Sequence, residues 1–228
     1  MDAAVIVPAY NEAESLARCL APFESQPVEL VVVVGGDDGT EQVARDTPFV
    51  DTVVRCDEGG AGIARNRGAK AATAPILLFT DADTVVPDDW VRLHLRHYAD
   101  DAVVGVGGPA RPLEDSLKHR VLFKLLSDYW YRVSWPLGFV QQPGFNCSFR
   151  ADAFEAAGGF DEDIPFMEDT ELSLRMKDHG RIVYDADSCV ATSARREADE
   201  GYLSLFAKYV RGYANHYILR REFDADYF

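Results

Sequence analysis

The sequence predicts an α/β fold in which a mostly parallel central sheet carries helices on both faces. Three observations lead there. Short apolar runs alternate with stretches of helical spacing through roughly the first hundred residues. Val28 to Val34 and Ile76 to Phe79 are apolar without a break, which is how strands covered on both faces read. A chain of 228 residues is long enough for one large core and short for two.

Ala4 to Pro8 reads as the first buried strand, and Leu16, Cys19 and Leu20 recur at helical spacing after it. Val28 to Val34 is the second strand. Asp38-Gly39-Thr40-Glu41 then has capping-box spacing ahead of a helix through Val43 and Ala44. Val50 to Arg55 makes a third strand, Gly62 to Ala72 an alanine-rich helix and Ile76 to Thr80 the fourth strand. A helix from Asp88 to Tyr98 and a strand over Ala102 to Val106 extend the alternation.

The middle of the chain changes character. Leu117, Val121, Leu122, Leu125, Tyr129 and Val133 recur at helical spacing, and Tyr129, Trp130, Tyr131, Trp135 and Phe139 form an aromatic cluster. Buried packing explains such a stripe; so does a platform on which sugars stack or a lipid lies. Pro143, Gly144 and Asn146 mark a loop, Cys147 to Phe149 a short extended piece, and Gly158-Gly159 the end of a helix. An acid-headed helix over Glu168 to Lys177 and a last strand at Ile182 to Tyr184 follow. Leu203, Phe206, Val210, Tyr213 and Tyr217 put one apolar stripe on a closing helix.

A formal charge of −15 argues against nucleic acid and an anionic membrane surface as electrostatic partners, since a polyanion would be repelled. Any phosphate ligand therefore needs a local cation. Lysine is confined to positions 70, 118, 124, 177 and 208 while aspartate is abundant, and the hypothesis that follows is adaptation to high salt. Under it the melting temperature holds or rises as potassium chloride is taken to molar levels; a falling melting temperature removes it. Cys19, Cys56, Cys147 and Cys189 are far apart without paired ligand spacing, and read as free core thiols of a reducing compartment. The first residues enter an apolar strand with no basic leader or cleavage site, and no apolar run approaches ~18 residues. The expectation is a soluble, cytoplasmic protein.

Pro75 to Asp83, PILLFTDAD, ends a buried strand in two carboxylates, Asp81 and Asp83. Ligands of open α/β sheets bind at the carboxyl edge, and carboxylates one residue apart can hold a divalent cation through oxygen. Asp83 fits equally well as the cap of the helix that Pro87 to Trp90 starts. Gly60-Ala61-Gly62 invites a dinucleotide reading, but the third glycine is replaced by Arg65 and the preceding strand is short and polar. No glycine-lysine pair closes a phosphate loop either, so phosphate chemistry would run through metal and arginine. Glu168-Asp169 opens a helix, where acids commonly serve the dipole. Placed after the turn Gly158-Gly159-Phe160-Asp161, such a carboxylate could also act as general base for a hydroxyl nucleophile.

Five stretches now stand in a telling order: Val5-Ile6-Val7-Pro8-Ala9-Tyr10-Asn11-Glu12, Gly62-Ile63-Ala64-Arg65-Asn66-Arg67-Gly68, Asp81-Ala82-Asp83, Gly158-Gly159-Phe160-Asp161 and Glu168-Asp169-Thr170-Glu171-Leu172. Over roughly residues 4 to 185 the chain resembles the family 2 glycosyltransferases of the GT-A fold. The resemblance implies inverting transfer of a sugar from a nucleoside diphosphate sugar, UDP-linked before GDP-linked, with manganese or magnesium. It implies one domain over 1–228, with a Rossmann-like nucleotide-sugar half at 1–108, an acceptor half at 109–198 and a helical segment at 199–228.

Carried over position by position, Pro8, Ala9 and Tyr10 line the nucleotide pocket, Tyr10 lies against the base and Glu12 is nearby. Arg65 approaches the nucleotide or its phosphates. Asp83 ligates the metal, and Asp81 contacts ribose, or the metal through water, with Ala82 between them. Asp169 takes the proton of the attacking hydroxyl, while Glu168, Asn146 and Trp135 lie on the acceptor side. Two departures stand out. The family's aspartate pair at the end of the second strand is replaced by Val33-Val34-Gly35-Gly36, so that Asp37 or Asp38 is left as the substitute carboxylate, Asp38 being explained as well by its capping box. The histidine that often completes the metal site is missing around Ala191 to Arg196, where Thr192, Ser193, Arg195 and Arg196 stand. Polyprenyl phosphate acceptors arrive ionised and need no base, so Glu168-Asp169 favours a hydroxyl on a saccharide or a lipid-linked saccharide. An acceptor met at the inner face of a membrane stays open. Two alternatives remain: a non-catalytic sugar- or nucleotide-binding subunit of a glycan assembly system, and a sugar nucleotidyltransferase, although Pro8 to Glu12 lacks the basic glycine-rich loop the latter needs.

Overall fold

The computed structural model describes residues 1–113, 121, 123–124, 130–135, 140–164, 167–193 and 211. Its elements are β1 (Ala3–Tyr10), α1 (Ala13–Leu20), β2 (Glu29–Gly35), α2 (Thr40–Asp46), β3 (Thr52–Arg55), α3 (Ala61–Ala71), β4 (Ile76–Phe79), β5 (Thr84–Val85), α4 (Trp90–Leu95), β6 (Val103–Gly107), β7 (Ala110–Pro112), α5 (Trp130–Ser134), β8 (Cys147–Arg150), α6 (Ala151–Ala156), α7 (Glu168–Met176), β9 (Arg181–Tyr184) and β10 (Val190–Thr192). Seven strands form the central sheet in the order β3-β2-β1-β4-β8-β6-β9, and β5-β10-β7 form a small second sheet. The α/β architecture expected from the sequence is present. Among the described strands, only β8 departs from the common direction of the large sheet, pairing antiparallel with both β4 and β6.

Alternation along the strands explains why both faces are covered. Val5 and Val7 of β1 face a core shared with Leu16, Leu20 and Trp90, while Ala4 and Ile6 face a second core with Phe79, Phe149, Phe160 and Leu172. Helices α1 and α4 close the first face; α3 and α7 close the second. A Cβ at Gly68 would lie 2.3 Å from Ile6 Cγ2 and 2.9 Å from Val33 Cγ2, so α3 comes this close to the sheet only through glycine. All four cysteines are free, as expected, and three are buried.

The reversed sense of β8 positions the site. Because Phe79 pairs with Cys147, the chain entering β8 passes the carboxyl end of β4, where Asp81 stands. Residues 143–146 thus reach an edge otherwise reserved for the ends of parallel strands. Directly after Asp83, β5 joins the small sheet: Thr84 and Thr192 hydrogen-bond through their hydroxyls at 2.8 Å, and Ser193 N–H donates to Asp83 O at 3.3 Å.

Several local expectations are corrected. Helix α4 has Asp89 at its N-cap position, so Asp83 is not its cap. The capping box at α2 is not formed: Gly39 occupies the N-cap, and Glu41 pairs with Arg45 and Arg55 instead of reaching back. Ile182 to Tyr184 is followed by one more strand, β10. Strands β5, β7 and β10 run for two or three residues, too short for periodicity to reveal. Most of the helix expected over Leu117 to Val133, the closing stripe from Leu203 to Tyr217, and Arg195 and Arg196 lie outside the described residues. Among the described residues, no helix is long and apolar enough to cross a membrane.

Candidate active site

The candidate site begins at the carboxyl end of β4. Thr84 N–H donates to Asp81 O at 3.0 Å, closing a four-residue turn that carries both carboxylates. Cys19 also donates to Asp81 O, and Ala82 is buried, so the turn is anchored from below. Asp81 and Asp83 are both half-buried. Pro8, Ala9 and Tyr10 end β1 beside this turn, since β1 pairs with β4. Tyr10 is 62% exposed at the carboxyl end of β1.

Arg65 is the tie across the site. Only 4% exposed, it donates from Nη2 to Asp81 Oδ1 at 2.8 Å and from Nη1 to Glu168 Oε1 at 2.6 Å, partners 16 and 103 residues away. Its guanidinium carbon lies 5.4 Å from the centre of the Phe160 ring. Burial opposes the charge, but Asp81, then Glu168 and Asp169, outweigh it and hold Arg65 firmly protonated. The resemblance implied an arginine at the nucleotide or its phosphates; here both Nη atoms meet carboxylates, and among the described residues the buried Nε has no partner.

Helix α7 brings Asp169 to the same place. Met167 precedes it at φ 67°, and Glu168, Asp169 and Glu171 crowd its first turn, where the helix dipole favours acids. Asp169 Oδ2 accepts Gly144 N–H at 2.8 Å, and Oδ1 accepts Thr170 N–H at 2.6 Å. Burial first, and Glu168 next, push Asp169 up to about 6, while the Gly144 hydrogen bond and Arg65 pull it back. A carboxylate of that basicity accepts a proton more readily than an ordinary aspartate does.

The remaining expected residues are placed less directly. Glu168 sits inside the site as Arg65's partner. Asp38 works as a brace: Oδ2 accepts Ala13 N–H at 3.1 Å and Oδ1 accepts Thr40 N–H at 3.0 Å, while Thr40 Oγ1 accepts Glu12 N–H at 2.8 Å. Those bonds, led by the Thr40 side chain, hold its carboxyl below the usual range. Asn146, expected on the acceptor side, is fully buried: Nδ2 donates to Pro109 O and Ser188 O, and Oδ1 accepts Trp90 Nε1–H at 2.8 Å. It is a framework residue. Trp135 packs at 5.4 Å from the Tyr184 ring and donates to Ile182 O, which places it against β9.

Other residues carry roles that no local signal announced. Asn66 exchanges hydrogen bonds with the Phe160 backbone, 2.8 Å as donor and 2.9 Å as acceptor, locking α3 to the Gly158-Gly159-Phe160 turn. Arg175 holds the same turn through Ala157 O and Gly159 O while pairing with Glu171. Asn66 lay within a quoted motif; for Arg175 and Gly144 only a turn signal or a charge was visible.

Among the described residues, no group of three or more His, Cys, Asp or Glu side chains is arranged to hold a metal ion. Asp81 and Asp83 nonetheless suit a hard cation that brings water and diphosphate oxygens as its other ligands.

Comparison with known proteins places this geometry. Residues 4–157 match the family model for glycosyl transferase family 2. The glycosyltransferase AglE of Haloferax volcanii is 32% identical over 114 residues, 46% of this chain and 38% of the relative. The glucosyl-dolichyl phosphate glucuronosyltransferase of the same organism is 30% identical over 148 residues, 60% of this chain and 47% of the relative. This chain therefore spans about half or less of the length of these two relatives. Among solved structures, the mannosyltransferase PcManGT from Pyrobaculum calidifontis, in complex with GDP-Man and Mn2+, superposes with a TM-score of 0.68 at 23% identity, over 92% of this chain and 64% of that one. That likeness speaks for the shared GT-A fold alone. With the match running through β1, the Arg65 helix, the Asp81 to Asp83 turn and β8, the chain belongs to glycosyl transferase family 2.

Proposed function

We propose that this glycosyltransferase moves a sugar, with inversion, from a nucleoside diphosphate sugar to a hydroxyl of a saccharide or lipid-linked saccharide. The observation that carries the reading is the Arg65 bridge: one buried guanidinium joins Asp81, on the donor turn, to Glu168, beside Asp169. Asp169 is the general base, accepting the proton of the acceptor hydroxyl as that oxygen bonds to the anomeric carbon. Asp83 and Asp81 would hold manganese or magnesium, which would supply positive charge to offset that developing on the departing diphosphate. Tyr10, with Pro8 and Ala9, faces the base. UDP-sugars are the first donors to test and GDP-sugars the next, the latter because PcManGT was solved with GDP-Man and Mn2+. The lipid-linked option draws on the glucuronosyltransferase relative, whose name includes a dolichyl phosphate.

Calorimetric titration of UDP, GDP and dTDP, with and without manganese, tests the donor site. One nucleotide should bind only with the cation, and Asp83→Ala should weaken it by at least the ~10–100-fold that loss of even an outer partner of a metal costs. Binding of no nucleotide would favour a non-catalytic subunit.

A further inference from the structure

Gly144 meets the site through both its amide and its missing side chain. The N–H donates to Asp169 Oδ2 at 2.8 Å. A Cβ there would lie 2.6 Å from Arg65 Cζ and Nη2, closer than real Cβ atoms come to any neighbour. An arginine head normally swings aside, but this one is 4% exposed, tied to Asp81 and Glu168, and packed on Phe160. The turn beneath Gly144 is equally fixed. Asn146 N–H donates to Pro143 O at 2.8 Å, and the Asn146 side chain is anchored by Pro109, Ser188, Trp90 and His94.

From these contacts we propose that Gly144 is a positioning residue for the general base: its amide orients the Asp169 carboxylate, and its bare Cα lets Arg65 lie between Asp81 and Glu168. The role rests on Asp169 being the base. Among the described residues, the groups that face Asp169 are Glu168 on its own helix, Arg65 from α3, Asp81 beyond Arg65, and the buried Cys147 thiol at the start of β8. Of these, Arg65 alone favours the ionised form, so Gly144 acts twice in the same direction. It donates to the carboxylate, and it leaves room for the Arg65 guanidinium.

The test needs no substrate. In isotopically labelled protein, the Gly144 amide proton shift should follow pH with the same midpoint as the Asp169 carboxyl carbon, and lose that dependence in Asp169→Asn. Gly144→Ala, which keeps the N–H but crowds Arg65, should raise the carboxyl midpoint by on the order of one pH unit, as loss of a nearby opposite charge does. Gly59→Ala, where a Cβ meets nothing within 4 Å, should leave it unchanged. An amide shift that ignores the Asp169 titration overturns the proposal in the native chain itself, whether or not the variant folds. An unmoved midpoint in folded Gly144→Ala overturns it as well. Failure of the underlying reading looks different: Asp169→Asn keeps its transfer activity while the native Gly144 shift still tracks the carboxylate.

Discussion

Asp169→Asn is expected to slow sugar transfer by about 10²- to 10⁴-fold, the range that general acid–base catalysis supplies, while nucleotide affinity is kept. The amide keeps the shape of the carboxylate but cannot take a proton from the acceptor hydroxyl. In the native chain kcat/KM should fall as pH drops through about 6, where Asp169 gains its proton. The same group leaves a mark on stability. Because burial and Glu168 raise Asp169 above its ordinary value, the folded chain holds this proton more tightly than the unfolded one. The stability so gained is complete below the ordinary carboxylate range and is lost as pH rises through about 6. Denaturant titrations from acidic to neutral pH should therefore show a decline in the native chain that flattens in Asp169→Asn. Unchanged turnover in the variant would remove Asp169 from the chemistry.

Arg65→Met should cost about 3–5 kcal/mol of stability at neutral pH, the effect of stripping one partner from a buried charge cluster. Glu168, with its side chain 13% exposed, and Asp169 would then face each other without a cation. The Asp81 side of the bridge contributes less, because that side chain is 34% exposed and solvent screens it. For a chain of this size the melting temperature should fall by on the order of 10 °C. At a pH of about 5 the deficit should narrow, since a protonated Asp169 no longer needs the guanidinium. A melting curve within ~1 kcal/mol of the native one, the worth of an ordinary surface pair, would show that Arg65 is not the strut. Thermal unfolding at two pH values decides it.

The central strands were legible because their signal is local. An apolar run such as Val31 to Val34 has to be covered on both faces wherever its neighbours lie, and β2 is buried throughout except at Glu29. Motif order likewise identified the family, since the β1 end, the Arg65 helix and the Asp81 to Asp83 turn all fall within the matched residues. Tertiary contact decided what each polar residue does. Asp83 could be a helix cap until α4 began later, at Trp90. Arg65 meets Glu168, a partner 103 residues away that no local pattern announces. The bracing hydrogen bonds of Asn146, expected on the acceptor side, and of Asp38, expected at the nucleotide sugar, appear only once their distant partners are in place. Nor does any residue pattern show that β8 runs backwards, which alone brings Gly144 to Asp169. Burial of an apolar run depends on the run itself, and so the sequence by itself determined the sheet; the role of a charge depends on which distant charge it meets, and only the folded chain decides that.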